Sequence, residues 1–205
     1  MDIEQAWRRK YRVHLETPRF LLRPLIVDDA DWLADLLADP EVNRFLLDDA
    51  LPAEEARQTA EAIVSLDLMK SHFGHWAIQD KSTGAIHGWT ELSKLRPWAG
   101  PSDEIALSYV LRRASWGQGI ATEAAQRLLR CAFEVQRLER VMAVIMAGNR
   151  PSERVLEKLG MHFIEAARSA DGKDLRYFRI DARGLARADD AARRVPAASP
   201  EEGPK

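Results

Sequence analysis

The sequence predicts one α/β (α+β) domain built on a mixed sheet. Three observations carry that prediction. Stretches with the two-residue period of strands alternate with stretches of helical period, a glycine-rich turn joins one strand directly to an amphipathic helix, and the overall balance is that of an ordinary globular protein, 46% hydrophobic and 30% charged over 205 residues.

The elements follow in order. Residues 1–14 are polar and aperiodic, a lead-in without a core-facing pattern. Leu15 to Leu25 holds Phe20, Leu21 and Leu22 between Pro18 and Pro24 and reads as a strand. Asp28 and Asp29 supply an N-cap for a helix with Trp32, Leu33, Leu36 and Leu37 on one face, and Asp39-Pro40 ends it because a residue before proline leaves the helical region. Pro52-Ala53-Glu54-Glu55 opens a second helix running to about Lys70, with proline at the first position and acids in the first turn. Phe73 to Gln79 and Ala85 to Leu95 are strands flanking the turn signal Asp80-Lys81-Ser82-Thr83-Gly84. After the loop Arg96 to Pro101, alternation at Ile105, Leu107, Tyr109 and Leu111 marks a strand from Glu104 to Leu111.

Helical period returns from Gly119 to Val135 through Ala121, Ala125, Leu128, Leu129, Ala132 and Phe133. Val141 to Ala147 is a continuous apolar run, expected to be a strand covered on both faces. The next helix carries Val155, Leu156 and Leu159 and closes at Gly160, and Phe163 to Arg168 with Leu175 to Ile180 flank Asp171-Gly172 as a closing hairpin. Beyond Ile180 the chain turns to Ala, Arg, Asp, Pro and Glu without aromatics, so residues 183–205 are expected to be a disordered tail on a domain spanning residues 15–182.

Composition excludes several classes. Lys+Arg number 30 against 32 Asp+Glu, a net charge of −2 that points neither to nucleic acid nor to an anionic membrane. The longest apolar run falls far short of the roughly 20 residues that span a bilayer. The first ten residues lack the apolar core of a secretion signal, and a cytoplasmic location is expected. Cys131, the single cysteine, has no internal partner and reads as a small packed helix residue. The five histidines, His14, His72, His75, His87 and His162, are not expected to make a metal site: His72 and His75 are close in sequence, but no Cys or acid nearby completes a ligand set.

The stretch that carries chemistry runs from Tyr109-Val110-Leu111 into Trp116-Gly117-Gln118-Gly119-Ile120-Ala121-Thr122. A strand enters a turn with two glycines and a helix starts at once. The first N–H groups of a helix have no partner within it, and the macrodipole puts partial positive charge there, so the turn suits a phosphate or pyrophosphate. It is not a Walker loop, which needs Gly-Lys-Ser/Thr, and Thr122 stands where a dinucleotide fingerprint has its third glycine.

Taken with its surroundings, the turn resembles the pyrophosphate loop of the GNAT superfamily of N-acetyltransferases, Gln/Arg-x-x-Gly-x-Gly/Ala, with Trp116 departing from the first position. Trp-Gly-x-Gly-x-Ala-Thr-Glu-Ala is usual in the branch of ribosomal-protein N-terminal acetyltransferases. The opening Leu15-Glu16-Thr17-Pro18-Arg19-Phe20-Leu21-Leu22-Arg23-Pro24, the Asp39-Pro40-Glu41-Val42 helix end and Asn149-Arg150-Pro151-Ser152 through Leu159-Gly160-Met161 resemble the same branch. The resemblance covers roughly residues 15 to 182.

It implies a mostly antiparallel central sheet with helices on both faces. In that fold the strand ending near Leu111 and the strand Val141 to Ala147 run parallel and then splay into a cleft for acetyl-CoA, the co-substrate. Pantetheine would bond the backbone of Tyr109 and Leu111, and the pyrophosphate would sit on the amides from Gly117 to Ala121, with Glu123 pointing away. An amine then attacks the thioester directly, so Cys131 is not needed as a nucleophile. The leaving thiolate needs a proton and the tetrahedral oxyanion needs a donor, for which the Leu111 N–H is the candidate.

Many family members place a tyrosine where Leu156 stands, and the ribosomal branch uses the serine matching Ser152, with Asn149 placing the cofactor. Both residues also suit plain capping of the helix they open. Glu91 and Glu104 are both candidates for the base, and each suits a solvent-facing role as well. Asn43 to Leu47 and the Trp98 loop are the expected acceptor wall, with Trp89 and Trp98 either stacking on substrate or packing. The acceptor is a peptide α-amine or a small-molecule amine, for which Asp48, Asp49, Glu91 and Glu104 could form an acidic pocket. A non-catalytic acyl-CoA-binding module is the third reading. An apolar strand edge in the closing hairpin suits a homodimer.

Overall fold

The computed structural model describes residues 14–46, 50–69, 74–95 and 103–194. The strands are β1 (Leu15–Glu16), β2 (Phe20–Pro24), β3 (His75–Asp80), β4 (Ile86–Lys94), β5 (Ile105–Leu111), β6 (Arg140–Met146), β7 (His162–Arg168) and β8 (Asp174–Asp181). The helices are α1 (Ala30–Ala38), the short α2 (Pro40–Asn43), α3 (Ala53–Met69), α4 (Ile120–Arg130), α5 (Arg150–Lys158) and α6 (Ala182–Arg194). The strands form one sheet in the order β1-β2-β3-β4-β5-β6-β8-β7. Every neighbour is antiparallel except β5 and β6.

Helices cover both faces, as expected. On one face α1 and α3 bury Trp32, Leu33, Leu36, Ala56, Ala60 and Val64 against Ala77, Trp89 and Val110. On the other, α4, α5 and α6 set Leu128, Leu156 and Leu185 against Leu22, Ile78, Leu92 and Leu107. The two faces follow from strand alternation, in which successive side chains point to opposite sides of the sheet.

Four expectations need correction. The single strand expected over Leu15 to Leu25 is a hairpin: Leu15 pairs with Leu22, and between them the Thr17 N–H donates to the Phe20 carbonyl at 2.9 Å while the Phe20 N–H donates to Thr17 Oγ1 at 2.8 Å. Pro18 sits in that turn, where its missing N–H costs nothing. Asp29 does not cap α1 by a side-chain hydrogen bond. It is buried and receives Arg23 through both oxygens at 2.7 and 2.8 Å, the Trp32 indole at 2.6 Å and the Ile26 N–H at 2.8 Å.

The apolar run of β6 is covered fully on one face only. Val141 and Ala143 are buried, whereas Met142, Val144 and Met146 are partly exposed beside Leu175 and Tyr177, because α1 and α3 lie over β3 to β5. The tail expected to be disordered instead begins with α6. Asp181 Oδ1 accepts the Gly184 N–H at 2.7 Å, Leu185 is buried, and Asp189 receives Arg130 at 2.7 Å. A side chain at Gly160 would stand 2.9 Å from the Ala188 Cβ, so the turn closing α5 (φ 81°) admits α6 because it carries none.

Candidate active site

The site grows from the gap between β5 and β6, which pair at a single register position. Along β5 the Leu95 N–H donates to the Glu104 carbonyl at 2.7 Å and the Arg112 N–H to the His87 carbonyl at 2.8 Å, while Thr90 Oγ1 donates to the Ser108 carbonyl at 3.1 Å. Even-numbered residues therefore turn their backbone groups to β4, and odd-numbered ones turn theirs to β6. β6 pairs with β5 at a single register position, Ala106 with Met142. Past it the strands separate, and the Tyr109 and Leu111 backbone faces the gap. Val110 does not, since its backbone faces β4 and its side chain is buried under the α1/α3 layer.

At the far end of β5 the chain bends through Arg113–Ser115 into the glycine turn. Gly117 and Gly119 have φ of 75° and 74°, left-handed values that favour glycine. Gly117, Gln118 and Gly119 are exposed, whereas Ile120 and Ala121 bury their side chains. The first amide returning into α4 is that of Glu123, donating to the Gly119 carbonyl at 3.0 Å. The amides ahead of it, through Thr122, are those a helix leaves unpaired, and the dipole adds positive potential at the same point.

Three side chains fasten the turn. The Trp116 indole N–H donates to the Leu111 carbonyl at 3.0 Å, Gln118 Nε2 donates to the Ala114 carbonyl at 2.7 Å, and Arg19 donates to the Gln118 carbonyl at 3.1 Å. Glu123 is held on Arg19, the same side chain that bonds the Gln118 carbonyl of the turn. Its carboxylate accepts the Arg19 guanidinium at 2.7 Å and the Arg19 N–H at 3.0 Å. Burial alone would raise its pKa, and the bonds from Thr17 and Arg19 outweigh that and hold it below the usual carboxylate value. On the α1 side of the turn, a groove of about 470 Å³ lies between Asp35 and Asp39 on one wall and Arg112 and Arg113 on the other.

Across the gap, Asn149 caps α5, its side-chain oxygen accepting the Ser152 N–H at 3.2 Å. Ser152 is partly exposed, and its carbonyl accepts the Tyr109 hydroxyl at 3.2 Å, a contact that ties the splayed strand to the α5 start. Burial pushes the Tyr109 hydroxyl well above the usual phenol range, the Ser152 contact offsetting only part of this.

The two carboxylates considered for the base part company. Glu104 is held by Arg140 in a two-pronged pair at 2.9 and 2.5 Å, which lowers its pKa, and it stands at the end of β5 opposite the turn, roughly 20 Å along the strand from Leu111. Glu91 sits directly across from Ser108 where the splay begins, 3% exposed, on the face under α1 and α3. Trp89 packs among the helices, with its indole N–H buried and unpartnered. Asn43 belongs to the scaffold, donating to the Leu36, Leu37 and Asp39 carbonyls. Leu47, Asp48, Asp49 and Trp98 lie outside the described residues. Cys131 is buried, which raises its pKa.

Sequence reasoning missed the Arg19–Glu123 clamp, the Trp116 bond and the pairing of His75 with Asp67 and Glu91. Each is a side-chain contact that leaves no periodicity in the sequence, at separations from five residues for Trp116 and Leu111 to 104 for Arg19 and Glu123, and only the position of Arg19 in the opening motif hinted at one of them. Among the described residues no helix is long and apolar enough to cross a membrane.

Comparison with known proteins agrees with this geometry. The acetyltransferase (GNAT) domain family matches residues 19–162. An uncharacterized N-acetyltransferase p20 of Bacillus licheniformis is 30% identical over 71% of this chain and 80% of its own. An FsC-acetyl coenzyme A-N(2)-transacetylase of Aspergillus fumigatus is 27% identical over 74% of this chain and 66% of its own. The structure of Mycobacterium smegmatis RimJ in complex with CoA-disulfide superposes with a TM-score of 0.73 at 19% identity, covering 90% of this chain and 97% of that one. The eight-stranded sheet, its one parallel splayed pair and the matched family together establish that this chain is an acetyltransferase of the GNAT family.

Proposed function

We propose that this enzyme transfers the acetyl group of acetyl-CoA directly to a primary amine, with a peptide N-terminal α-amine as the favoured acceptor. The observation that carries the reading is the separation of β5 from β6 beyond Ala106 and Met142, which runs straight into the glycine turn. In this reading the pantetheine amides complete the ladder left open at Tyr109 and Leu111. The Leu111 carbonyl is already taken by Trp116, which leaves the Leu111 N–H and both Tyr109 groups for the ligand. The pyrophosphate lies on the amides from Gly117 to Thr122, with Arg112 and Arg113 adding positive charge alongside.

The amine nitrogen attacks the thioester carbon, forming the C–N bond, and its proton passes to Glu91. The oxyanion falls to the Tyr109 N–H rather than to that of Leu111, because the thioester lies farther from the turn than the pantetheine and Glu91 stands across from Ser108. The C–S bond then breaks, and the thiolate takes a proton from solvent through Ser152 Oγ, which gives its own proton to the sulfur as it receives one from water, while Asn149 fixes the α5 start that presents the serine. Glu104 is left out of the chemistry, since its carboxylate is engaged by Arg140 far from the turn.

The α-amine is favoured by magnitude. With a pKa near 8 about 10% of it is neutral at pH 7, against less than about 0.1% of a lysine. A weak or water-mediated base suffices for the first more easily than for the second. Likeness to the Mycobacterium smegmatis protein in fold, together with the opening and turn motifs, supports placement in the ribosomal-protein N-terminal branch. The Aspergillus fumigatus relative and the Asp35 and Asp39 wall of the groove support the second reading, a small cationic amine. Thiol release from acetyl-CoA with peptides of varied first residue against polyamines, amino acids and aminoglycosides decides between them. Faster turnover on peptides is expected. Acetyl-CoA binding with no turnover on any amine would make the chain a binding module instead.

A further inference from the structure

Glu91 is backed by two partly buried side chains that the chemistry above does not use. His75 on β3 lies directly opposite it in the sheet register. The imidazole Nε2 stands 3.4 Å from Glu91 Oε1, and Nδ1 stands 3.0 Å from Asp67 Oδ1 near the end of α3. The His75 backbone N–H donates to that same Asp67 oxygen at 2.8 Å. The three side chains are 4% (Glu91), 13% (His75) and 10% (Asp67) exposed. The ring is held edge-on to Trp89 with centroids 5.0 Å apart. At Gly74 a side chain would begin 2.9 Å from Asp67 Oδ1, so the residue before His75 leaves room for the carboxylate.

The proton positions follow from the donors available. Both carboxylates only accept; the nearer one, Asp67 at 3.0 Å, takes the Nδ1 hydrogen, and Nε2, 3.4 Å from Glu91, is left to accept a proton arriving there. The titratable groups facing the imidazole are Asp67 from α3 and Glu91 from β4, while Trp89 is neutral. This is the arrangement of a base whose orientation and charge are set by a second group, itself fixed by a third.

We propose that His75 and Asp67 are positioning residues for the Glu91 base, forming a carboxylate–imidazole–carboxylate line that carries away the proton of the acceptor amine. The proposal rests on the reading of Glu91 as the base. The proton leaves the amine nitrogen for Glu91, moves from Glu91 to His75 Nε2, and the resulting imidazolium is balanced by Asp67 on its other side. It returns to solvent before the next turnover, so no bond other than N–H and O–H changes in the line.

The test is the pH dependence of kcat/KM for wild type, Glu91→Gln, His75→Gln and Asp67→Asn, using acetyl-CoA with a serine-initiated tetrapeptide. Should that peptide react no faster than water, the slow hydrolysis of acetyl-CoA serves as the reaction, since water needs the same base. Loss of Glu91 is expected to cost about a hundredfold or more, the scale of general-base catalysis. His75→Gln and Asp67→Asn are expected to cost on the order of tenfold, the scale of orienting partners. Both should shift the acid-side limb of the profile and leave the KM for acetyl-CoA unchanged. Asp67→Asn is nearly isosteric and keeps the oxygen that accepts the His75 N–H, so it reads out the line even if His75→Gln folds poorly. A Glu91→Gln loss accompanied by unshifted profiles in both other variants, with only the melting temperature lowered, overturns the proposal and leaves the base intact. An unchanged Glu91→Gln profile removes the base and the line together.

Discussion

Adding one methyl group at Gly117 separates the folding role of the glycine turn from its proposed binding role. Gly117 has φ 75°, and a Cβ built there meets no heavy atom within 4 Å. Alanine therefore brings no clash and costs only the left-handed conformation, about 1 kcal/mol. For a chain of this size that lowers the melting temperature by about 2–4 °C. Gly119, with φ 74°, behaves alike, since its added Cβ would lie at ordinary contact distance, 3.6 Å, from the Arg19 guanidinium.

Binding should suffer far more. In the proposed reading the methyl would project from an exposed turn into the space the pyrophosphate takes. A hydrogen bond to a charged group is worth about 1.5–3 kcal/mol. Losing one phosphate–amide contact thus weakens CoA by about tenfold to a hundredfold at 1.4 kcal/mol per decade. Calorimetric titration of Gly117→Ala and Gly119→Ala with CoA and with pantetheine, which lacks the diphosphate, makes the measurement. The expected pattern is a large loss for CoA and almost none for pantetheine. If CoA affinity stayed within about twofold of wild type while stability fell as calculated, the phosphates would not lie at this turn.

Two further outcomes follow from packing and charge. Truncation after Ala182 removes Leu185 from the core and the Asp189 partner of Arg130 and Gln126, and burial of one leucine alone is worth about 1.5–3 kcal/mol, so thermal unfolding should begin roughly 3–12 °C lower. Asp29 is buried, and although burial raises its pKa, the bonds from Arg23, Trp32 and the Ile26 N–H outweigh this and lower it. A depressed pKa contributes stability that is present above the unfolded value near 4 and is lost as pH falls through the folded value. Asp29→Asn strands Arg23, should cost about 3–5 kcal/mol at pH 7, and should flatten the acid-side fall of the melting temperature relative to wild type.

The periodicities of the chain gave most elements their place, because strands and helices in this fold keep one face on a core. The turn from Tyr109 to Thr122 was legible for a different reason. Its glycines, the strand before them and the helix after them are all local. What stayed hidden was set by contacts that leave no periodicity, some inside a tight turn and some between distant segments. The hairpin at Thr17 depends on a side chain closing onto Phe20. α6 is held by a glycine twenty-four residues before Gly184, by one leucine and by an ion pair, none of which registers as hydrophobic periodicity. Glu91 and Glu104 look equivalent as letters. Only the register of β4 on β5, and the arrival of Arg140 from β6, put one at the opening of the splay and the other at its closed end.

The splay and the turn act as one device in the proposed reading, and a backbone argument explains why. Buried amides must find partners, and in a closed sheet the next strand supplies them. Here β6 supplies one register position and then departs, so the Tyr109 and Leu111 groups stay usable only because the gap admits water or a ligand. An amide-bearing arm that replaces that water recovers about 1 kcal/mol per hydrogen bond with no side chain involved. Affinity along the arm should then depend on strand geometry, while discrimination between thioesters and amines falls to the few side chains around it. Tyr109→Phe tests the division. It keeps every backbone bond but cuts the hydroxyl that ties β5 to the Ser152 carbonyl. Affinity for CoA should therefore hold while turnover falls, because the strand is kept and the position of α5 is not.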